Sequence, residues 1–480
     1  MKKQAFNPYL PSYEYVPDGE PYLFGDRVYI YGSHDKFGVE HFCPNDYVSW
    51  SAPANDLGDW RFEGVIYRKD QDPMNPDGTR CLFAPDVQEG LDGKYYLFYI
   101  FETMGFISVA VCDTPAGKYE YHGTVHYPDG TILGRKEGDT LQFDPAVFID
   151  DDGRIFLYTG FAPDLRAMNI KVATPLDGAY VVELETDMLT VKSQPKRIVP
   201  GVVVEEGTGF EGHAFFEASS MRKINGRYYF IYSSINGHEL CYATGDSPDG
   251  NFTFCGTVIS NGDVYLDGRT YENAIGYMGN NHGGLVEVNG QWYIFYHRQT
   301  TRNSYSRQGC AEPVEILADG SIPQVEMTSC GLNGKPLEGI GRYETYIACN
   351  LYSKDGALFY GGVTDPENMQ HPYLTQTGVD REQEGDQYIA NMQDGAVAGF
   401  KYFDLQNTRR ISVETGGTAE GIIIVKNSED GITLAEISLK VSGAKLTFEA
   451  PMTPDTEKSA LFFMFKGEGE LDFHSFTLDK

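Results

Sequence analysis

Short alternations of apolar and polar residues recur along the first two thirds of the chain, and several of them follow a turn. Five segments join a Gly, Asp or Asn turn to an aromatic and β-branched run: GDRVYIYGS (25–33), DGKYYLFYI (92–100), DGRIFLYTG (152–160), NGRYYFIYS (225–233) and NGQWYIFYH (289–297). Such a turn before an apolar run predicts a β-hairpin. The polar residues that follow the five turns are 67, 60, 73 and 64 residues apart, a repeat that suits four-stranded propeller blades. Residues 1–325 are therefore predicted to form a five-bladed β-propeller.

The pattern changes towards the C-terminus. Residues 321–341 lose the repeat and gain Gly and Pro, which indicates a linker. Short apolar strands follow, with Gly, Asp and Ser turns between them: RRISVE (409–414), GIIIVKN (421–427), KLTFEA (445–450), ALFFMFKG (460–467) and LDFHSFTL (471–478). This spacing predicts a second all-β domain, a β-sandwich of the jelly-roll type over residues 338–480.

Each predicted blade carries one acid or imidazole eight to ten residues before the residue that marks its turn. These residues are Asp18, Asp86, Asp144, Glu217 and His282. Because the first strand of a propeller blade lines the central channel, the five groups are expected to converge on one axis. Four carboxylates and an imidazole together indicate a metal site, a catalytic site or both. The plainer alternative is a polar position that was duplicated with the repeat and carries no chemistry.

Glu217 stands among apolar neighbours, Phe215, Phe216 and Ala218. Burial of a carboxyl group disfavours its charged form and raises its pKa. A general acid that works near neutral pH needs a raised pKa. The alternative is a Glu at a strand edge that points into water.

Composition and charge limit the partners of the chain. The formal net charge of −31 argues against nucleic acid and anionic membranes as partners. No apolar run approaches the ~18 residues of a membrane span. The eight cysteines show no CxxC spacing, so reduced thiols are expected. The start MKKQAFNPYLPSYEY lacks an apolar segment after its lysines, so a cytoplasmic protein without a secretory signal is expected.

The ordered set of motifs resembles glycoside hydrolase family 43 followed by a family 6-type carbohydrate-binding module. The motifs are PDGEPYLFGDRVYIYGSHD, FAPDVQEGLDGKYYLFY, FDPAVFIDDDGRIFLYTG, FFEASSMRKINGRYYFIYS and NHGGLVEVNGQWYIFYH in the first domain, with DGAVAGFKYFDLQNTRRISVETGG in the second. The resemblance implies an inverting enzyme that releases terminal xylose or arabinofuranose from plant-cell-wall-derived oligosaccharides. An arabinanase or another glycosidase on the same propeller, or a catalytically silent carbohydrate-binding protein, are the alternatives.

The resemblance also implies roles for single residues. Asp18 matches the general base and Glu217 the general acid. Asp144 matches a carboxylate that is ionised and raises the pKa of the acid. His282 matches a histidine beside a calcium or other structural ion on the propeller axis, whereas the chemistry itself needs no cofactor.

The substrate-binding residues implied by the resemblance are Arg307, in SRQGCAEP, together with Asp86, Phe83 and Phe143. Asp86 is expected to line the channel and position the other groups. For Arg307, a position in an exposed propeller loop is an equal alternative.

The assignment of the base depends on the alignment of the first motif. The chain reads Pro17-Asp18-Gly19-Glu20-Pro21 where the family has an Ala-Asp-Pro sequence. Alignment on the following strand without a gap selects Asp18, and alignment on the acid–proline pair selects Glu20. We favour Asp18, because an ungapped strand keeps the side-chain alternation in phase.

The resembling modules commonly stack a tryptophan on a sugar ring, but no tryptophan follows Trp292. Tyr360, Tyr388 and Tyr402 are candidate substitutes, and Glu344 is a candidate ligand of a structural cation. Whether this domain binds sugar, and which oligomeric state the chain adopts, stay open at this point.

Overall fold

The computed structural model describes residues 4–164, 175–359, 368–378, 380 and 386–480. Five successive antiparallel sheets are followed by one sheet of ten strands. In the described residues the helical segments are short 3₁₀ turns, at Val202–Val204, Asn261–Asp263, Leu266–Gly268, Tyr271–Asn273, Gly331–Asn333, Thr345–Ile347 and Asn368–Gln370. Of the segments described, none is a helix with the length and apolar character needed to cross a membrane.

The first five sheets are the blades, and in each of them the strands follow one another in chain order. Blade 1 holds β1 (Glu20–Phe24), β2 (Arg27–Tyr31), β3 (Tyr47–Pro53) and β4 (Arg61–Tyr67). Blade 2 holds β5 (Asp86–Glu89), β6 (Tyr95–Ile100), β7 (Ile107–Cys112) and β8 (Glu120–Thr124). Blade 3 holds β9 (Ala146–Ile149), β10 (Ile155–Thr159), β11 (Gly178–Leu184) and β12 (Lys196–Pro200). Blade 4 holds β13 (Phe215–Ile224), β14 (Arg227–Ser234), β15 (Glu239–Gly245) and β16 (Thr253–Ser260). Blade 5 has three strands, β17 (Leu285–Val288), β18 (Gln291–Gln299) and β19 (Arg307–Val314).

All five predicted hairpins form between the first and second strands of the blades. Two of them use the Asn-Gly pair as expected. Asn225 and Gly226 have φ values of 52° and 81°, and Asn289 and Gly290 have 52° and 84°. Two successive positive φ values match the twist of the flanking strands, and Asn and Gly tolerate them best. The prediction of a five-bladed propeller is confirmed.

Apolar side chains fill the space between neighbouring blades. Tyr31 and Tyr47 of blade 1 pack with Leu97 of blade 2, and equivalent clusters join blades 2 and 3, 3 and 4, and 4 and 5. The ring closes differently, because an N-terminal arm (residues 4–15) adds Tyr9 and Leu10 to the cluster between blades 1 and 5. Burial of these large rings supplies the main stabilisation of the propeller.

The ten strands of the C-terminal domain lie between residues 337 and 479. They are β20 (Leu337–Glu338), β21 (Gly341–Glu344), β22 (Asn350–Tyr352), β23 (Tyr373–Thr375), β24 (Tyr388–Met392), β25 (Val397–Asp404), β26 (Arg410–Lys426), β27 (Thr433–Ser442), β28 (Leu446–Pro451) and β29 (Ser459–Asp479). One apolar core, running from Leu337 to Leu478 along the chain, lies inside the domain. This arrangement is consistent with the expected sandwich.

The predicted strands of this domain are shorter than the observed ones. RRISVE and GIIIVKN both belong to β26, and ALFFMFKG and LDFHSFTL both belong to β29. The glycines at these boundaries predict turns, but the ladder continues through Gly416, Gly417 and Gly421. A Cβ atom at Gly421 would lie 2.2 Å from the carbonyl oxygen of Lys466, so close approach of the two strands explains this glycine.

Candidate active site

A cavity of about 460 Å³ lies where the segments that precede the innermost strands meet. Asp18 and Asp144 each stand two residues before the first strand of their blade, and His282 stands three residues before β17. Asp18 and Asp144 have positive φ values of 57° and 44°. Non-glycine residues adopt this region rarely, and such strain is common at functional sites. Asp18, Asp144, Glu217, His282 and Arg307 all line the cavity.

Asp18 is held as a carboxylate mainly by the guanidinium of Arg307. Arg307 Nη1 donates to Asp18 Oδ1 at 3.0 Å, and His297 Nδ1 lies 3.3 Å from the same oxygen. Burial by itself would raise the pKa of Asp18, but the positive charge of Arg307 holds it below the usual value, whereas burial lowers the pKa of His297 to about 3 and keeps that imidazole neutral. Asp18 is therefore ionised at neutral pH.

The pKa of Glu217 is shifted in the opposite direction from that of Asp18. It lies at an irregular part of β13, where the pairing with β14 shifts on both sides of it. Burial first, and then the charge of Asp18, raise the pKa of Glu217 to about 8, against the opposing effect of Arg307. Glu217 therefore carries a proton at neutral pH, as its apolar neighbours in the sequence suggested.

Asp144 lies beside Glu217 and is tied to the backbone there. Its Oδ2 accepts a hydrogen bond from the N–H of Ala218 at 3.1 Å and lies 3.5 Å from His282 Nδ1. Burial, and then the charges of Glu217 and Asp18, raise the pKa of Asp144 well above its ordinary value. Two buried carboxyl groups that interact through their charges do not both lose their protons readily, and the ionised state expected of Asp144 stays a prediction.

Arg307 is anchored by a carboxylate that the sequence did not single out. Its Nε and Nη2 donate to the two oxygens of Asp35 at 2.8 and 3.0 Å, which leaves Nη1 for Asp18. Arg307 and Asp35 are 3% and 0% exposed. The alternative of an exposed loop arginine is excluded. A buried fork of this kind fixes the guanidinium in one orientation.

Asp86 does not line the cavity, although it was expected to contact substrate. It is the first residue of β5, the position that Glu20 has in β1, whereas Asp18 and Asp144 precede their strands by two residues. Its oxygens accept hydrogen bonds from the hydroxyl of Tyr22 and the N–H of Val147, both at 2.7 Å. Burial, and then the charge of Glu20, raise its pKa to about 7.

Glu20, the first residue of β1, pairs with Arg222, whose Nη2 donates to Glu20 Oε2 at 2.9 Å. Arg222 also donates to the carbonyl of Leu285 at 2.7 Å and lies over the ring of Tyr22. Blades 1, 4 and 5 are thereby joined near the axis. Glu20 does not line the cavity, so the geometry favours Asp18 over Glu20 as the acid that faces a ligand.

The axial ion implied for His282 can be tested against these neighbours. His282 Nε2 lies 4.0 Å from Glu20 Oε1, an oxygen that accepts no hydrogen bond from the described residues. Among the described residues, the groups of three close ligand atoms are His41–Cys81–Glu102 and His213–Glu239–Cys241, and neither includes His282. Since the guanidinium of Arg222 already neutralises Glu20, the side chains present do not fit an ion held by several protein ligands.

Six aromatic side chains supply much of the apolar wall of the cavity. The predicted residues Phe83 and Phe143 both line it and contact each other edge to face, with ring centroids 6.0 Å apart. The wall also contains side chains for which no role was predicted: Phe42, Phe161, Phe216, Tyr271, Met278, Asn236 and Asn280. Phe216 directly precedes Glu217 and Phe161 directly follows the motif DGRIFLYTG, so the sequence pattern places both near the predicted site. Tyr271 and Met278 lie in a connection without periodicity, which gave no sequence signal.

This geometry can be compared with that of known proteins. The xylosidase/arabinosidase of Thermoclostridium stercorarium is 51% identical over 479 residues, which cover 100% of this chain and 99% of that relative. A family 43 arabinoxylan arabinofuranohydrolase from Bacillus subtilis, solved in complex with cellotetraose, has a similar fold (TM-score 0.51, 22% identity, 99% of this chain and 97% of that one). The GH43_1 enzyme from Xanthomonas citri, complexed with xylose, matches 66% of this chain and 91% of its own (TM-score 0.52, 25% identity). The family model of the glycosyl hydrolases family 43 matches residues 16–322. The propeller, its paired carboxyl groups and these matches together show that the chain belongs to glycosyl hydrolase family 43.

Proposed function

We propose that the chain is an inverting glycosidase that releases terminal xylose or arabinofuranose from oligosaccharides of plant cell walls. The observation that carries this proposal is the pair of carboxyl groups in one cavity with opposite protonation, Asp18 ionised and Glu217 protonated. A base and an acid in these states are what hydrolysis of a glycosidic bond needs. The full-length relative named xylosidase/arabinosidase supports the choice of sugars.

In the proposed reaction Asp18 removes a proton from a water molecule, which attacks the anomeric carbon. Glu217 protonates the leaving oxygen on the other face of the sugar. Inverting enzymes keep their two carboxyl groups about 6.5–9.5 Å apart to leave room for that water. Asp18 and Glu217 come from blades 1 and 4 and interact through their charges rather than by a hydrogen bond.

Asp144 and Arg307 hold the two reacting groups in place. Asp144 fixes the backbone beside Glu217 through the N–H of Ala218. Arg307 keeps Asp18 ionised. Because Asp35 fixes the guanidinium of Arg307, this contact also limits where the Asp18 carboxylate can lie. No step of this scheme uses a cofactor or a metal ion.

The aromatic wall suits an uncharged sugar. Phe83, Phe143 and Phe216 present apolar surface, which packs against the C–H faces of a pyranose or furanose ring. We include a cytoplasmic location in the proposal, since all eight cysteines are unpaired in the structure and free thiols persist in reducing compartments.

The test is hydrolysis of aryl β-D-xylopyranoside, aryl α-L-arabinofuranoside and xylobiose by the wild type and Glu217→Ala. Loss of a general acid lowers the rate by about 10²–10⁴-fold on a substrate with a poor leaving group. We expect that loss on xylobiose and a smaller loss on the aryl glycosides, whose leaving groups need little protonation.

The matched control is Glu206→Ala, since Glu206 is an exposed glutamate outside the cavity and its removal is expected to leave all three rates unchanged. The anomeric form of the first product is read by proton NMR. Equal losses on xylobiose and aryl substrates would contradict the role of Glu217. A product of retained configuration would contradict inversion.

A further inference from the structure

One wall of the cavity belongs to a connection that the blade pattern does not explain. The segment 261–284 joins β16 to β17 and brings Tyr271, Met278 and Asn280 to the cavity. Tyr271 is 50% exposed, so its ring is accessible to a ligand. We call residues 261–280 the wall loop.

The backbone of the wall loop is strained. Asp263, Tyr265 and Asp267 have positive φ values of 56°, 76° and 52°. Side chains other than glycine adopt this region at an energetic cost, and the conformation persists where the surroundings hold it. The wall loop therefore depends on contacts outside itself.

The main contact is a buried ion pair with the C-terminal domain. Lys401 Nζ, on β25, lies 2.8 Å from Asp263 Oδ2 and 3.0 Å from Glu326 Oε2. Lys401 and Asp263 are 5% and 4% exposed. Asn350 donates to the same oxygen of Asp263 at 3.2 Å, and the N–H of Met327 donates to the other oxygen at 2.8 Å. Both carboxylate oxygens of Asp263 therefore bind groups that lie outside the wall loop.

Further contacts hold the rest of the wall loop against the same domain. The N–H of Met278 donates to the carbonyl of Leu358, and the N–H of Leu351 donates to the carbonyl of Ile275, both at 2.8 Å. Met278 packs with Val264, Ala274 and Phe359 in one apolar cluster. On the outside, Arg269 pairs with Glu429 of the C-terminal domain, at 2.5 Å.

The aromatic residues that were candidates for sugar binding by this domain have other contacts. The hydroxyl of Tyr402 donates to Glu326 at 2.6 Å, beside Lys401, and the ring of Tyr388 lies 4.4 Å from that of His474. Tyr360 lies outside the described residues. Tyr402 and Lys401 both contact Glu326, so this tyrosine belongs to the junction between the domains.

We propose that the C-terminal domain serves substrate binding in the propeller by holding the wall loop against the cavity, with Lys401 as the positioning residue that acts through Asp263. The proposal rests on the proposed glycosidase function for its kinetic consequence. In this role the C-terminal domain shapes the cavity of the propeller and does not itself bind a sugar.

The kinetic test compares Lys401→Met, the charge-neutral double variant Lys401→Met/Asp263→Asn, and the conservative Lys401→Arg on xylobiose. We expect KM to rise about ten-fold with a smaller change in kcat, since displaced binding groups cost up to ~10²-fold, and Lys401→Arg to restore part of the affinity. Lys440→Met is the matched control, because Lys440 forms an exposed ion pair with Glu420 elsewhere on the same domain. An unchanged KM in a folded double variant would overturn the proposal.

A double-mutant cycle separates positioning from general destabilisation. Tyr271→Ala removes a side chain that the wall loop carries, so its effect on KM and that of Lys401→Met are expected to be less than additive. Fully additive effects would show that Lys401 acts elsewhere. Glu429→Gln, which weakens the partly exposed outer pair, provides a milder second variant should Lys401→Met fail to fold, and a smaller rise in KM is expected from it.

Hydrogen exchange gives a readout that does not depend on activity. Amides of residues 261–280 are expected to exchange faster in Lys401→Met and in Glu429→Gln than in the wild type or Lys440→Met. Unchanged exchange in this segment would overturn the proposal even in an active enzyme. Absence of hydrolysis by the wild type on every glycoside would refute the proposed function instead, and the exchange result would still decide the positioning role.

Discussion

Replacement of Glu217 by glutamine removes the proposed general acid. The same change is expected to stabilise the folded protein at alkaline pH. In the folded state burial and Asp18 raise the pKa of Glu217 from 4.5 to about 8. Between these two values the folded protein binds a proton that the unfolded chain has released. The free energy of unfolding of the wild type therefore falls as the pH rises through this window, and the Glu217→Gln variant does not have this dependence.

The size of the effect follows from the pKa difference. A rise from 4.5 to about 8 corresponds to a ceiling of about 5 kcal/mol. Glu217 and Asp144 titrate as a coupled pair, so part of this pH dependence belongs to Asp144 and remains in the variant. We therefore expect the variant to be more stable than the wild type by about 2–5 kcal/mol at pH 9. Near pH 4.5 the variant and the wild type are expected to be equally stable.

The assay is urea unfolding of the wild type, Glu217→Gln and Glu206→Gln at pH 5, 7 and 9, with the exposed Glu206 as the matched control. The difference between Glu217→Gln and the wild type should grow from pH 5 to pH 9, and Glu206→Gln should follow the wild type throughout. A difference that is the same at pH 5 and pH 9 would refute the assignment of Glu217 as a buried acid with a raised pKa.

Three further predictions concern the charges around the cavity. Arg307→Met removes the main charge that lowers the pKa of Asp18, so the acidic limb of the kcat/KM profile on xylobiose should move to higher pH, and an unmoved limb would contradict the role of Arg307. Asp18→Asn should lower kcat on xylobiose by at least ~100-fold, whereas Glu20→Gln should retain most of kcat and lose about 3–5 kcal/mol of stability because Arg222 stays buried without its partner. Equal loss of kcat in both variants would reopen the choice of base. Prior treatment with EDTA should leave the initial rate on an aryl xyloside unchanged, because Arg222 supplies the positive charge beside Glu20, and a loss that Ca²⁺ restores would show that an axial ion is needed.

The propeller could be predicted because its signals are local. Each hairpin is specified by a two-residue turn and the strand beside it, as in Asn225-Gly226. The repeat of the hairpin along the chain then gives the number of blades. Asp18, Asp144 and Glu217 were predicted from their position nine or ten residues before the residue that marks each turn, and they meet in one cavity. Asp86 has nearly the same spacing, but its carboxylate accepts hydrogen bonds from Tyr22 and Val147 and does not line the cavity, which the spacing alone does not reveal.

The rest of the site depends on contacts between distant segments. Asp35 meets Arg307 across 272 positions, and Arg222 meets Glu20 across 202. No spacing rule connects such pairs in a single sequence. Tyr271 and Met278 reach the cavity through a loop whose shape is held by another domain, so their place depends on Lys401 and its neighbours. In the C-terminal domain the glycines of β26 suggested turns, because a strand residue that permits close approach has the same sequence signature as a turn.

The N-terminal arm has a consequence for biosynthesis. Asn7 bonds the backbone of Ala311 and the side chain of Glu312, and Gln4 contacts Glu338 and Tyr343 in the C-terminal domain. On the ribosome, residues 4–10 are made some three hundred positions before these partners emerge. Blade 5 cannot be joined to blade 1 through the arm until that synthesis is complete, and closing a loop of this length is slow. The ring of blades is therefore expected to stay open, with the surface between blades 1 and 5 exposed to chaperones or to aggregation, until β19 has been translated.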